Sequence, residues 1–130
     1  MNQRIDEFTP NLFTPTEAHA FLRQEVREFC GQHNMDKLAE EHDEKECLNL
    51  DMFRQVGENG WHGVTIPEQH GGMGMDSTAA VIIHHELSKY DPGFCLAYLA
   101  HSMLFVNNFY YCSTEEQKSL FLEPSRRHHF

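Results

Sequence analysis

The chain has 130 residues, of which 40% are hydrophobic and 12% aromatic, and this composition indicates one folded domain rather than a disordered chain. Its formal net charge is −10 with the histidines neutral, and its basic cluster, Arg126-Arg127, is confined to the C-terminal end, so a nucleic-acid partner is not expected. The four cysteines, at positions 30, 47, 95 and 112, form no C-x-x-C pair, which predicts free thiols in a reducing compartment.

The first predicted helix has a defined start and an apolar face. Thr14 is predicted to be its N-cap, with Pro15 as the first helical residue and Glu17 completing a capping box. Gly31 is predicted to end it. Its apolar face recurs at helical spacing and consists of Phe21, Leu22, Val26, Phe29 and Cys30. The polar residues that follow, 32–46, predict a solvated and partly helical connection.

Two further helices are predicted between residues 48 and 89. The second covers residues 48–58 and is expected to end at Gly60. Its inner face is predicted to consist of Leu50, Phe53 and Val56. The third is predicted to begin with Asp76 or Ser77 as its cap and to run to Lys89.

The longest predicted helix begins at Pro92 and runs to about Tyr111. Its apolar residues surround the helix axis almost completely, which is typical of the buried centre of a bundle. Ser113 and Glu116 predict another capping box, which starts a last helix ending at Leu122. Because no parallel-sheet pattern occurs, the sequence predicts an all-α helical bundle.

The sequence contains no pattern typical of export or of a membrane span. Residues 1–8 include Asp6 and Glu7 and lack an apolar core, which argues against a secretory signal or a transit peptide. The longest apolar run, residues 94–106, is interrupted by His101 and Ser102, and a bilayer needs about 20 apolar residues. A cytoplasmic location without a membrane span is therefore expected.

The glycine-rich loop at residues 70–74, His-Gly-Gly-Met-Gly, is a candidate phosphate-binding site. Its spacing matches neither G-x-G-x-x-G nor the P-loop, and no Lys followed by Ser or Thr comes after it. Glycines that supply positive φ are common in turns. The loop is therefore predicted to be a structural corner and not a nucleotide site.

Ten histidines raise the question of a metal site. His84 and His85 are adjacent on a predicted helix, so their side chains diverge by about 100°. His62 and His70 share one loop but have no carboxylate or thiol at ligand spacing. No metal site is predicted, and a His-rich metal-binding protein is kept as a third reading of the function.

Three polar residues on predicted helices have two interpretations each. Glu86 is either a buried general base with a raised pKa or a structural carboxylate paired with a neighbour such as Lys89. His101 and Ser102 are consecutive, and consecutive helical side chains diverge, which argues against a Ser-His catalytic pair. They are predicted either to be hydrogen-bonded core groups or to line a cavity.

Four segments, taken in order, carry a resemblance to a known family. They are Gly-x-x-Gly-Val-Thr-Ile-Pro-Glu-x-x-Gly-Gly-x-Gly at 60–74, Glu-Leu-Ser at 86–88, Ala-His-Ser at 100–102 and Glu-Glu-Gln-Lys at 115–118. With this order and these separations, residues 14–122 resemble the helical N-terminal domain of the flavin-dependent acyl-CoA dehydrogenases.

The resemblance implies a cofactor, a substrate and an assembly. In the family a β domain and a second helical domain follow, the enzyme is commonly a homo-tetramer, and FAD accepts the β-hydride of an acyl-CoA whose α-proton a glutamate removes. By motif position it implies that the acyl pocket is lined by Leu99, Ala100 and Met103, together with Tyr98 and Ser102. A plain core role for the same five residues is the alternative.

The sequence departs from the family after Leu122, and the family's catalytic glutamate and flavin-binding segments have no counterpart in it. We expect an N-terminal arm (1–13), a family-like helical domain (14–123) and a non-family tail (124–130). A truncated chain of this extent is expected to bind no FAD alone, to be inactive and to self-associate through an exposed apolar patch. The alternative is a stand-alone helical binding module that uses its apolar groove for a partner protein or an acyl ligand.

Overall fold

The computed structural model of the chain describes residues 9–124, so the first eight residues and residues 125–130 of the predicted tail, which include its basic cluster, lie outside it. Within this range the structure is helical, without strands, which confirms the all-α class. The helices are α1 (Glu17–Gln32), α2 (Met35–Glu44), α3 (Leu50–Glu58), α4 (Ser77–Tyr90), α5 (Pro92–Leu99), α6 (Asn108–Cys112) and α7 (Glu115–Gln117). π-helical segments cover Ala100–Asn107 and Lys118–Leu122, and short 3₁₀ turns cover Trp61–Gly63 and Glu68–His70. Over residues 9–124, no helix combines the length and the apolar character that crossing a membrane requires.

The N-terminus of α1 differs from the predicted one. Thr16 is the N-cap: its backbone is extended, with φ −134°, and its hydroxyl accepts a hydrogen bond from the N–H three residues later. The predicted cap Thr14, and with it a helix start at Pro15, is wrong because the Thr14 N–H bonds to Asn11 in a separate turn. Gly31 does not end the helix either, since α1 continues beyond it.

The core lies where α1 packs on α4 and α4 packs on α5. Its largest buried members from these three helices and α3 are Leu22, Met52, Phe53, Ile82, Ile83, Leu87, Phe94 and Tyr98. Two residues predicted to face it do not: Phe21 is 59% exposed and Leu50 is 50% exposed. Each lies beside the buried stripe of its helix, because neighbouring helical residues point about 100° apart.

The long helical stretch after Asp91 was predicted to be buried on every side, and this is wrong. Phe94 and Tyr98 are buried, but Leu96 and Leu104 are exposed by 67% and 63%. Over residues 9–124 the other helices cover only one side of this stretch, so an apolar side chain here does not by itself indicate the core.

The caps of the later helices were predicted with mixed success. Asp76 caps α4, because its carboxylate accepts a hydrogen bond from Ala79 N–H at 2.9 Å. Of the two predicted caps, Asp76 and Ser77, the first is therefore confirmed. The capping box before the last helix consists of Thr114 and Gln117, whereas Ser113 with Glu116 was predicted. The predicted pair is wrong by one position, since the Thr114 hydroxyl accepts from the Gln117 N–H.

The glycine loop folds back onto its own preceding segment. Gly72 N–H donates to Pro67 O at 3.1 Å, Met73 N–H to Gly63 O at 3.0 Å, Gly74 N–H to Ile66 O at 2.8 Å and Met75 N–H to Val64 O at 2.9 Å. These consecutive donors are therefore satisfied by the chain itself, and none is directed at an external anion. The prediction of a structural corner agrees with this geometry.

Replacing Gly72 with alanine is expected to lower the free energy of unfolding by about 1–3 kcal/mol, because the added Cβ would overlap the backbone carbonyl of Ile66. Urea denaturation measures the effect. The matched control is Gly31→Ala, where nothing lies within 4 Å of the new Cβ and a helix interior favours alanine by about 0.5–1 kcal/mol. A Gly72→Ala protein as stable as the wild type would contradict the close packing of the loop.

Candidate functional site

Glu86 on α4 is completely buried and binds three cationic side chains. Its Oε1 accepts hydrogen bonds from Arg23 at 2.6 Å, Lys89 at 3.0 Å and Arg27 at 3.1 Å, and its Oε2 accepts one from Arg27 at 3.3 Å. The two arginines belong to α1, so the carboxylate ties α4 to α1. Arg23 also donates to the Phe13 carbonyl oxygen at 3.1 Å and thereby fixes the segment before α1.

The charge state of Glu86 decides between its two interpretations. Burial alone would raise the pKa of the carboxyl, but the hydrogen bonds from Arg27, Arg23 and Lys89 outweigh burial and lower the pKa to about 2. A general base for neutral pH needs a raised pKa and a reachable oxygen. The general-base interpretation is therefore wrong, and the paired structural carboxylate, with Lys89 as one of its partners, is what the structure contains.

A groove of about 690 Å³ lies on the other side of α4. Its α4 wall consists of Ser77, Ala80, Val81 and His84. Its opposite wall consists of Leu99, Met103, Asn107 and Tyr111, and one end is closed by Thr65, Met75 and Asp76. Sites for small molecules typically have volumes of roughly 300–1,000 Å³ with mostly apolar walls and a few placed polar groups.

The two walls run in opposite directions, because α5 follows α4 after the single residue Asp91 and packs back along it. Cys95 Sγ lies 3.3 Å from the His84 carbonyl oxygen, and the rings of His84 and Tyr98 are 4.8 Å apart, which places Leu99 at the His84 end. At the other end the Thr65 hydroxyl donates to Asn107 Oδ1 at 2.8 Å. Leu99 thus lies toward the His84 end of the groove, and Asn107 lies at the other end beside Thr65.

The five residues named for the acyl pocket fall into three environments. Leu99 and Met103 line the groove. Ala100 is exposed and does not line the groove. Tyr98 and Ser102 are fully buried, and the Tyr98 hydroxyl donates to the Trp61 carbonyl oxygen at 2.7 Å. A substrate-binding role for all five remains a prediction.

Sequence reasoning missed several groove residues, although their spacing was visible. Leu99, Met103, Asn107 and Tyr111 recur at every fourth position. In an α-helix a step of four residues overshoots one turn by about 40°, so such a series drifts around the axis. The π-helical segment Ala100–Asn107 has i→i+5 bonds and wider turns, which reverse this drift and keep the series on one side.

The histidines within residues 9–124 lie on several different elements, and of these His19 and His62 are buried. The His62 ring packs 4.6 Å from the rings of both His101 and Phe53. His84 Nδ1 bonds to the Ala80 carbonyl oxygen at 2.6 Å, whereas His85 Nδ1 lies 2.8 Å from an Arg23 nitrogen. Across residues 9–124 no three His, Cys, Asp or Glu side chains form a group suited to a metal ion.

The substitution Glu86→Gln is expected to lower the free energy of unfolding at pH 7 by about 3 kcal/mol, because it leaves three cations without their anion. The folded pKa of about 2 lies below the usual value of 4.5. The stabilisation is therefore complete above about pH 4.5 and is lost as the pH falls toward 2, so the wild type and the variant should converge over that range.

The control for this variant is Asp51→Asn, which removes an exposed ion pair of 3.2 Å with Arg54. Exposed pairs contribute little, and a loss below about 0.5 kcal/mol is expected at every pH. Urea denaturation between pH 3 and pH 7 measures both variants. A constant difference between Glu86→Gln and the wild type over that range would contradict the assigned ionisation.

Comparison with known proteins identifies relatives of this fold. The family model described as the acyl-CoA dehydrogenase N-terminal domain matches residues 16–127. A 3-(aryl)acrylate reductase of Clostridium sporogenes is 31% identical over 113 residues, which cover 86% of this chain and 29% of that protein. A mitochondrial isovaleryl-CoA dehydrogenase of Pongo abelii is 33% identical over 108 residues, which cover 82% and 26%. The structure of butyryl-CoA dehydrogenase from Megasphaera elsdenii superimposes with a TM-score of 0.79 at 25% identity, over 92% of this chain and 31% of that one.

The region matched by the family model contains both walls of the groove and the Glu86 cluster. The chain spans less than a third of the length of each of these relatives. Since the family model matches most of its sequence, the chain belongs to the acyl-CoA dehydrogenase family, whose N-terminal helical domain it contains.

Proposed function

We propose that the groove is the acyl-binding face of an FAD-dependent acyl-CoA dehydrogenase, an enzyme that removes two hydrogens from the acyl part of a CoA thioester. The observation that carries this proposal is the open groove with Leu99, Met103 and Val81 on its walls, in a chain that belongs to this family. Its volume and its apolar walls suit an acyl chain. The domain thus acts on substrate selection.

The side chains on the two walls set the space for the acyl chain. Leu99 and Met103 project from one wall and Val81 from the other, so larger residues here shorten the groove. One methylene in an apolar pocket typically contributes about 1–3 kcal/mol to discrimination between substrates. We propose that the buried Tyr98 and Ser102 act indirectly, by fixing the helix that carries the groove wall, whereas a direct contact of the exposed Ala100 with the acyl chain remains a prediction.

We propose that neither the glycine loop nor the Glu86 cluster holds FAD. A diphosphate needs free backbone N–H groups or cations, and the N–H groups of the glycine loop are all bonded to the chain itself. The cations Arg23, Arg27 and Lys89 are bound to Glu86. We therefore place FAD in the parts of the family proteins that this chain does not cover.

The described groove also offers no carboxylate suited to α-proton abstraction. Its carboxylate, Asp76, accepts hydrogen bonds from His19 and from the Ala79 N–H, and these lower its pKa below the usual range. A carboxylate of that kind is a weak base. We propose that these 130 residues alone bind acyl groups without oxidising them.

The uncovered side of the long helical stretch supports a contact with another part of the enzyme or with a second copy. Leu96, Leu104 and Phe105 are exposed there by 67%, 63% and 43%. Exposed apolar residues of this kind promote association when the partner is missing. Because the groove is open in this chain, a stand-alone module that binds acyl ligands is the second candidate.

The substitution Met103→Trp is expected to weaken binding of octanoyl-pantetheine, a neutral thioester probe, about tenfold, because the indole fills the groove. NMR titration of the 130-residue chain measures the affinity. The control is Leu104→Trp, which places the same side chain next to the groove on an exposed position and should leave the affinity unchanged.

Equal affinities of the two tryptophan variants, or no binding by the wild type, would contradict the proposed acyl site. Flavin absorbance after dialysis against FAD, together with dye reduction by an acyl-CoA, tests whether the chain alone has the enzyme's activity. An acyl-binding chain that neither retains FAD nor reduces the dye agrees with both candidate functions, and addition of the remaining domains then restores activity only for the enzyme.

A further inference from the structure

One end of the groove carries polar side chains that a purely hydrocarbon ligand does not need. Thr65, Ser77 and Asn107 line that end, whereas Leu99 and Met103 lie toward the other. Polar groups in an otherwise apolar site fix the orientation of the ligand and supply specificity. The groove is therefore matched to an occupant with a polar atom at one position.

Asn107 is held in one orientation by Thr65. The Thr65 hydroxyl donates to Asn107 Oδ1 at 2.8 Å, and both side chains are partly buried. The carbonyl oxygen of the amide is thus bonded, while its Nδ2 donates to no other residue in the range 9–124. A donor that is already oriented loses little conformational freedom when a ligand binds.

The charge at this end selects a neutral acceptor. Asp76 lies there and is ionised at neutral pH, since the hydrogen bond from His19 lowers the pKa of its carboxyl. A carboxylate on the ligand would be repelled by Asp76. A carbonyl oxygen accepts a hydrogen bond from an amide without carrying a charge.

We propose that Asn107 is a specificity-determining residue that donates a hydrogen bond from Nδ2 to a carbonyl oxygen of an acyl thioester lying in the groove. This inference rests on the proposed acyl-binding function. Two oxygens have the required chemistry, namely an oxo group on the acyl chain and the carbonyl of the thioester itself.

The test compares three neutral probes: pentanoyl-pantetheine, 4-oxopentanoyl-pantetheine and the thioether S-pentyl-pantetheine. With the wild type we expect either the 4-oxo probe to bind about fivefold tighter than pentanoyl-pantetheine, or pentanoyl-pantetheine to bind about fivefold tighter than the thioether. A fivefold difference in the first comparison would identify the oxo group as the acceptor of the Asn107 hydrogen bond. The same difference in the second comparison would identify the thioester carbonyl. The side-chain amide signal of Asn107 in ¹⁵N NMR spectra should shift with the tighter probe.

Asn107→Leu keeps the size of the side chain and removes its N–H donor. Whichever ratio of probe affinities is about fivefold with the wild type should therefore fall to about one in this variant. Thr65→Val keeps Asn107 but frees its amide to rotate, and the ratio should fall part of the way. Asn108→Leu is the control, because Asn108 is exposed, bonds to Leu104 O at 3.1 Å and does not line the groove. A ratio between two probes within one variant cancels any general weakening of the fold.

Two results would overturn the inference: wild-type ratios near one, or an enlarged ratio that survives Asn107→Leu. If the three probes bind equally and Met103→Trp weakens the binding of all of them, the result supports acyl binding in the groove and contradicts the proposed role of Asn107. If none of the probes binds the wild type, both proposals fail.

Discussion

The packing of α4 against α1 depends on the burial of one charge, the carboxylate of Glu86. A carboxylate away from water is costly unless it is fully paired, and here Arg23, Arg27 and Lys89 satisfy both of its oxygens. The cluster fixes one side of α4, and the groove is built on another side of the same helix. The ion cluster between α4 and α1 thus helps to hold α4, and with it one wall of the groove, in place.

The second wall of the groove depends on a change of helix type. The residues of α4 that line the groove recur at intervals of three and four, as an α-helix requires, whereas those opposite recur strictly at four. The π-helical segment keeps Leu99 and Asn107 on the same side although they are eight positions apart. π-Helical bulges occur frequently at functional sites, and in this chain the segment determines which side chains a ligand meets.

The sequence predicts some features of this fold correctly and others wrongly, and the difference has a physical reason. Local signals predicted the all-α class, the structural glycine corner and Asp76 as one of two possible caps, because each depends on nearby residues. Thr14 and Ser113 were the wrong caps because several hydroxyl-bearing residues stand together, and only the backbone geometry selects among them. The π-helical segment and the exposed side of the long helix depend on contacts distant in sequence, so periodicity alone misjudged them.

The electrostatics of the chain limit what the groove contributes to binding. The formal charge is −10, and the cations nearest α4 neutralise Glu86 instead of facing the groove. In the function that we propose, the phosphates of CoA therefore gain no attraction at this groove, and the acyl end of the thioester occupies it. Affinity for the whole substrate must come from other parts of an enzyme of this family. In this proposal the groove acts through differences between acyl chains, and the side chains that supply this selectivity are those of its apolar walls and the oriented amide of Asn107.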